Sequence, residues 1–264
     1  MPLAPGEVKQ TNAAPARFTF SPHSAGAGRE ERAPCPARGH GLAHTTGRDP
    51  TMGTTATKGQ AMGKIKNVVF DMGGVLMKYD PEAFARPHVE SDEDARLVAE
   101  QVFGGREWPL QDAGVVDAET IGWTAAGRLP ERLREAAMQT ALRWFEQREY
   151  FAGADEAIRE LKRRGYGIYL LSNAGVQFDQ YKESLPAWEC FDGVVVSAFV
   201  HLMKPDARIF SLLADTYGLS CDECLFVDDV AVNVEGARRA GMHGLVYAGE
   251  MADVFEALGE AVPA

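Results

Sequence analysis

Long apolar runs are missing from this chain. No stretch approaches the roughly 20 consecutive apolar residues of a membrane-spanning helix, so a helical span is not expected. The first residues carry no apolar h-region, and a secretory signal is not expected either. A G-x-x-x-x-G-K-[ST] loop is absent, which excludes a P-loop nucleotide binder. Positive charge is scarce: 27 Lys and Arg stand against 38 Asp and Glu, a net charge of -11. Phosphate backbones are held by clustered cations, so a broad nucleic-acid surface is not expected. Cysteine is sparse as well, at Cys35, Cys190, Cys221 and Cys224. The C-x-x-C at 221–224 has no second pair and no histidine at zinc spacing. It precedes a strand instead of opening a helix after one, so it reads as reduced thiols in a loop of a cytoplasmic protein.

What is present is an ordinary globular composition, 45% apolar and 25% charged over 264 residues, ample for a large core. The charge is uneven. Residues 1–66 hold nine Lys/Arg and four Asp/Glu, which leaves -16 on residues 67–264. Residues 1–62 are rich in Pro, Ala, Gly, Thr, Arg and His, with no helical or strand period. A segment of that kind buries too little apolar surface to offset its ordering entropy, so a disordered extension is expected. Met52 and Met62 lie just ahead of the first strand, and the functional protein is expected to begin near one of them.

From Lys66 the pattern is α/β. "NVVF" is a short apolar run of the buried-parallel-strand kind. "DEAIRELKRRG" (155–165) reads as an amphipathic helix closed by Gly165, with Ile158 and Leu161 inward. "YGIYLLSN" and "DGVVVSAF" (192–199) read as strands. "DARIFSLLADTYG" is a helix with Asp206 at its start, "CLFVDD" a strand, "NVEGARRAG" a helix and "HGLVYA" a last strand. Such alternation implies βαβ units and a parallel sheet. Over 82–148 the strand signal vanishes, and "DEDARLVAEQVF" and "PERLREAAMQTALRWFEQREYF" are helical in period. The expected organisation is therefore an extension over 1–62, an α/β core over 63–81 and 149–264, and a helical cap over 82–148. The cap follows the first strand and is expected to lie over the sheet's carboxyl edge, where open α/β folds bind ligands.

Polar residues collect where the apolar strands stop. Asp71 ends the first strand, Ser172-Asn173 the second and Asp228-Asp229 the run "CLFVDD", while Lys204 precedes a helix. Each has an ordinary alternative. Asp71 before Gly73-Gly74 suits a turn, Ser172 and Asn173 are turn formers, and most lysines are solvated. Asp228 could be an N-cap with Asp229 in water. Two adjacent carboxylates nevertheless repel unless a cation or donors lie between them, and Mg²⁺ is the natural oxygen-ligated ion. Together the set offers a nucleophile, phosphoryl-oxygen donors, a counter-charge and a metal site, the parts phosphoryl transfer uses.

In that order, "VVFDMGGVL", "YLLSNAG", Lys204 in "MKPDARIF" and "LFVDDVAVNVEGARRAG" resemble the four motifs of the haloacid dehalogenase-like hydrolase superfamily, over roughly residues 65–250. The insertion after the first motif is similar to its helical C1 cap. The branch resembled most has "FDxGxV" first and "DD...N" fourth. It includes sugar-1-phosphate phosphatases and is related to the N-terminal phosphatase domain of soluble epoxide hydrolases. The resemblance implies a Rossmann-like parallel sheet and an aspartyl-phosphate formed on Asp71. Ser172 would donate to the phosphoryl group with the backbone near Asn173 helping, and Lys204 would neutralise nucleophile and phosphoryl oxygens. Mg²⁺ would be held by Asp71, Asp229 and the main-chain carbonyl of Gly73, with Asp228 and Asn233 as near ligands or supports.

Gly73 departs from many members of the superfamily, which have a second aspartate there to protonate the leaving oxygen. Such help is worth about 10²–10⁴-fold. Its absence is expected to slow poor leaving groups most, while a glycine still provides the backbone oxygen for the metal. The first expectation is a Mg²⁺-dependent phosphatase for a small phosphomonoester, most plausibly a sugar phosphate. Cap residues such as Trp108, Gln111, Asp112 and Trp123 are candidates for choosing it, although tryptophans in a helical cap more often belong to its core. A 2-haloacid dehalogenase is the second expectation, opposed by Asp228-Asp229, and a non-catalytic phosphometabolite binder is the third, opposed by the intact nucleophile and lysine. Oligomeric state is not legible.

Overall fold

A computed structural model describes residues 64–263 of the chain. The extension read over 1–62, with Met52, Met62 and Cys35, lies outside the described residues. The sheet has five strands: β1 (Asn67–Phe70), β2 (Gly167–Ser172), β3 (Gly193–Val196), β4 (Cys224–Asp228) and β5 (His243–Val246). Their order is β3-β2-β1-β4-β5 and every pairing is parallel. The Rossmann-like α/β class expected from the alternating pattern is therefore the observed one. The first three strands build the sheet one way from β1, and the last two build it the other way. That reversal opens a crevice at the carboxyl ends of β1 and β4, the position where open α/β sheets bind ligands.

The strands form because their sequences suit burial on both faces. Val68, Val69 and Phe70 of β1 and all five residues of β4 are buried. The third strand is shorter than "DGVVVSAF" suggests. It stops at Val196, and Ser197 opens a single helical turn. The reason is local: the Ser197 hydroxyl accepts from the Ala174 amide at 3.0 Å and donates to the Asp112 carbonyl at 2.6 Å, so it serves two loops at the strand's end.

Helices follow in chain order as α1 (Pro81–Ala85), α2 (Asp92–Phe103), α3 (Glu107–Asp112), α4 (Ala118–Arg128), α5 (Arg134–Arg143), α6 (Ala154–Arg163), α7 (Ser197–Val200), α8 (Ala207–Tyr217), α9 (Ala231–Arg239) and α10 (Met251–Ala257). Their ends carry the expected chemistry. Asp80, Ser91 and Asp206 accept from the first-turn amides of α1, α2 and α8. Helix α6 turns its Ile158 and Leu161 inward and is followed by Gly165 at φ 90°, with the Tyr166 amide bonded back to the Leu161 carbonyl.

Helices α1 to α5 form an insert between β1 and α6. The chain leaves and returns side by side: the Lys78 amide bonds to the Glu149 carbonyl at 2.8 Å, and the Phe151 amide to the Leu76 carbonyl at 3.0 Å. One apolar cluster runs from Val68 and Phe70 of the sheet through Leu76 and Met77 to Phe84, Val98 and Ile121 of the insert. The insert thus shares its packing with the sheet. Cys190, Cys221 and Cys224 form no disulfide among the described residues. No helix among the described residues is long and apolar enough to cross a membrane.

Candidate active site

The site starts from β-sheet register. Phe70 of β1 lies level with Leu170 of β2 and Val227 of β4, so the residues that follow emerge together at the carboxyl edge. The Asp71 amide makes one further ladder bond, to the Val227 carbonyl at 2.9 Å, and there the chain turns away. Asp71 is held by one oxygen. Its Oδ1 accepts from the Met72 amide at 2.7 Å and from Lys204 Nζ at 2.7 Å. No donor reaches Oδ2 among the described residues, which leaves it free to act.

Lys204 is the hinge of the charge arrangement. It is only 4% exposed, and its ammonium lies 2.7 Å from Asp71 Oδ1 and 2.7 Å from Asp228 Oδ2. Asn173 braces the lysine from behind: its Nδ2 donates to the Lys204 carbonyl at 3.0 Å, and its Oδ1 accepts the Lys204 amide at 2.9 Å. The Asn173 amide is therefore committed to the lysine's backbone.

Asp228 is fully buried and saturated with donors. Besides Lys204, the Val230 amide bonds its Oδ1 at 2.8 Å, and Asn233 Nδ2 lies 3.1 Å from each oxygen. Asp229 faces outward, and partial burial together with the Asp228 charge raises its pKa. Gly74 makes room for it. A Cβ on Gly74, which sits at φ 76°, would fall 2.2 Å from Asp229 Oδ2. A Cβ on Gly73 would meet nothing within 4 Å. The two glycines thus differ in kind: one is filled by a neighbour, the other opens onto space.

Asp71, Asp228 and Asp229 each offer an oxygen, and these oxygens lie within 4.8 Å of one another. Three carboxylates around one ammonium leave about two negative charges uncompensated. Burial, opposed by Lys204 and reinforced by Asp228, pushes Asp71 up from 3.8 to about 7. An all-oxygen donor set with excess negative charge suits a hard divalent ion such as Mg²⁺.

Above this edge lies a cavity of about 260 Å³. Asp71, Met72, Gly73, Ser172, Asn173, Ala174 and Gly175 form its floor, while Met77, Tyr79, Trp108, Gln111, Asp112 and Trp144 form its walls. Ser172, at the end of β2, is 2% exposed and its hydroxyl has no partner among the described residues. The predicted floor residues are thereby brought together, with Lys204, Asp228 and Asp229 joined to Asp71 as described. Of the four insert candidates, Trp108, Gln111 and Asp112 line the cavity. Trp123 does not; it is 69% exposed on α4, outside any core. Tyr79, Met77 and Trp144 line the cavity as well, beyond the residues that the sequence singles out. Trp144 falls at the end of a strongly helical run, where helical period alone does not say which ring turns toward the sheet.

The Gln177 side chain orders the wall. Its Nε2 donates to the Ala141 and Leu142 carbonyls, so its Oε1 must accept, and it does so from Trp144 Nε1 at 3.2 Å and Gln111 Nε2 at 3.0 Å. That orientation leaves the buried Gln111 Oε1 without a donor among the described residues.

The family profile of haloacid dehalogenase-like hydrolases matches residues 65–241. The chain belongs to that family. It is 27% identical over 212 residues to the sesquiterpene phosphatase astK of Aspergillus oryzae, an alignment covering 72% of this chain and 94% of the relative. It is 32% identical over 111 residues to the (S)-2-haloacid dehalogenase of Pseudomonas sp. strain YL, covering 42% of this chain and 47% of that enzyme. Among solved structures, the Asp12Ala mutant of the HAD family enzyme bt-2542 from Bacteroides thetaiotaomicron, in complex with magnesium and inorganic phosphate, superimposes with a TM-score of 0.56. It is 18% identical, covering 72% of this chain and 99% of that one. The chain is a hydrolase of this family.

Proposed function

We propose that the protein is a Mg²⁺-dependent phosphatase that hydrolyses a small, uncharged-alcohol phosphomonoester, a sugar phosphate in the first place, through an aspartyl-phosphate on Asp71. The observation that carries this reading is the asymmetry of the Asp71 carboxylate. One oxygen is fixed by Lys204 and the Met72 amide, and the other is left free beside the cavity. A nucleophile needs that kind of orientation. Ser172 offers its free hydroxyl to a phosphoryl oxygen, and Lys204 offsets charge on the nucleophile and the transferring group. Asp71, Asp229 and the Gly73 carbonyl would hold Mg²⁺, with Asp228 and Asn233 behind them. The bound ion supplies positive charge beside the phosphoryl oxygens. The helical insert acts as a cap that closes the leaving-group side.

The cavity lining supports a neutral leaving group. None of its residues is Lys, Arg or His, and its walls carry the carboxyl of Asp112. A second carboxylate or phosphate on the substrate would enter there unpaired. The same point counts against the dehalogenase reading, which the partial match to a 2-haloacid dehalogenase keeps in view, because a 2-haloacid brings a carboxylate.

The test is a panel of phosphomonoesters assayed with and without Mg²⁺, on the natural chain and on D71N. Phosphate release that needs Mg²⁺ and drops by about 10⁴-fold or more in D71N is the expected result. Activity surviving the substitution excludes Asp71 as nucleophile. Halide release from 2-chloropropionate in the presence of EDTA would move the assignment to the dehalogenase.

A further inference from the structure

Position 73 lacks the acid that would protonate a leaving oxygen, and the cavity holds another carboxyl in its place. Asp112 ends α3 and lines the same cavity as Asp71 and Gly73. Its carboxyl makes no hydrogen bond or ion pair among the described residues, whereas its backbone is fastened firmly to the sheet side. Ser197 Oγ donates to the Asp112 carbonyl at 2.6 Å and also accepts from Ala174, a residue of the cavity floor. One residue further on, His201 Nδ1 lies 3.1 Å from the Ala113 carbonyl. The backbone is thus anchored, and the side chain lines the same cavity as Asp71 and Gly73 with no partner among the described residues.

We infer that Asp112 is the general acid and base of this enzyme, supplied by the insert in place of the missing carboxyl at position 73. The inference rests on the phosphatase reading above. In the first step Asp71 Oδ2 forms a bond to phosphorus, the bond from phosphorus to the leaving oxygen breaks, and the Asp112 proton passes to that oxygen. The alcohol leaves neutral and Asp112 is left ionised. In the second step water enters where the alcohol left and gives a proton to Asp112 as its oxygen bonds to phosphorus. The bond from Asp71 to phosphorus then breaks, which returns inorganic phosphate, an ionised Asp71 and a protonated Asp112.

The surroundings favour a proton on this carboxyl at neutral pH. Burial and the Asp71 charge push Asp112 up from 3.8 to about 7, against the weaker pull of Lys204. Burial above all, with the Asp112 charge second, holds the phenols of Tyr79 and Tyr181 above the usual tyrosine range. An acid poised near the working pH is the efficient kind.

Three esters of similar shape test the proposal: 4-nitrophenyl, phenyl and benzyl phosphate, assayed with Mg²⁺ as kcat/KM. In D112N, kcat/KM for benzyl phosphate should lose about 10²–10⁴-fold, while kcat/KM for 4-nitrophenyl phosphate, which ends at a first step that needs no proton, should fall far less even as its kcat drops with the lost base. A urea midpoint equal to that of the natural chain reports a folded variant. Adding G73D to D112N should restore benzyl phosphate turnover, because the Gly73 side faces open space. Equal losses on all three esters, or no loss on benzyl phosphate, overturn the proposal and leave the phosphatase standing. Failure of the natural chain to hydrolyse any of the three takes down the phosphatase reading and this one with it.

Discussion

Along the sheet edge most polar groups answer one another, and only Asp71 Oδ2 and the Ser172 hydroxyl are left open toward the cavity among the described residues. Lys204 joins Asp71 to Asp228, Asn173 braces Lys204, and Asn233 and the Val230 amide complete Asp228. Across the cavity, the wall from the insert leaves Gln111 Oε1 buried without a partner among the described residues, and the Asp112 carboxyl makes no hydrogen bond there either. An unpaired buried polar atom costs about 1–3 kcal/mol, so a wall that carries one beside an unpaired carboxyl is one whose partners arrive with the ligand or with water. The sheet edge fixes the chemistry before anything binds. The insert is finished by what binds.

The comparison can be broken most forcefully at Lys204. If the edge is a self-consistent charge network, K204M strands two buried carboxylates and should cost about 3–5 kcal/mol at pH 7, read by urea unfolding without metal. The pH dependence has a definite sign. Asp71 already titrates above its unfolded value of 3.8, so its ionisation works against folding as pH rises from about 4 towards about 7. Removing the ammonium, which lowers that pKa, widens the window upward. The difference between K204M and the natural chain should therefore grow from pH 5 to pH 8. A difference that stays flat with pH would mean that Lys204 acts through packing alone.

The glycine pair sharpens the same contrast on a smaller scale. G74A places a methyl at φ 76° against Asp229, and should cost about 1–3 kcal/mol while displacing that carboxylate and weakening Mg²⁺-dependent activity. G73A meets open space with φ outside the left-handed region, so its stability should stay within about 0.5 kcal/mol of the natural chain. Denaturation midpoints of the two variants decide it. Similar losses at both positions would mean that the turn, and not the Asp229 contact, demands glycine.

What the sequence made legible follows the same division. Asp71, Ser172, Lys204, Asp228 and Asp229 could be read because parallel-strand ends converge by topology, whatever the side chains do in detail. The Asn173 bond pair with Lys204 could not, since it depends on a loop conformation. In the insert, helical period located α2 and α5, but a period says which face is apolar, not what that face meets. Trp108, Gln111 and Asp112 were therefore indistinguishable from Trp123 before the fold set them on opposite sides. The third strand was overextended because "VVVSAF" is apolar throughout, and only the two bonds made by Ser197 end it.

The tryptophans give the mildest test, and one confined to the insert. Trp108 lines the cavity, edge-on to Phe103 at 4.5 Å and to Trp144 at 5.8 Å, so it sets the shape of the leaving-group wall. W108A should lower kcat/KM for the preferred ester by about 10-fold, in line with the roughly 1–3 kcal/mol carried by an apolar pocket contact. W123A removes a ring that is 69% exposed on α4 and should leave kcat/KM within about two-fold, as for surface changes generally. If the insert were a mere cover with no part in recognition, the two variants would behave alike. A loss in W108A that falls on KM for benzyl phosphate but spares smaller alkyl esters would place the ring against the alcohol, on the side where Asp112 is proposed to give its proton.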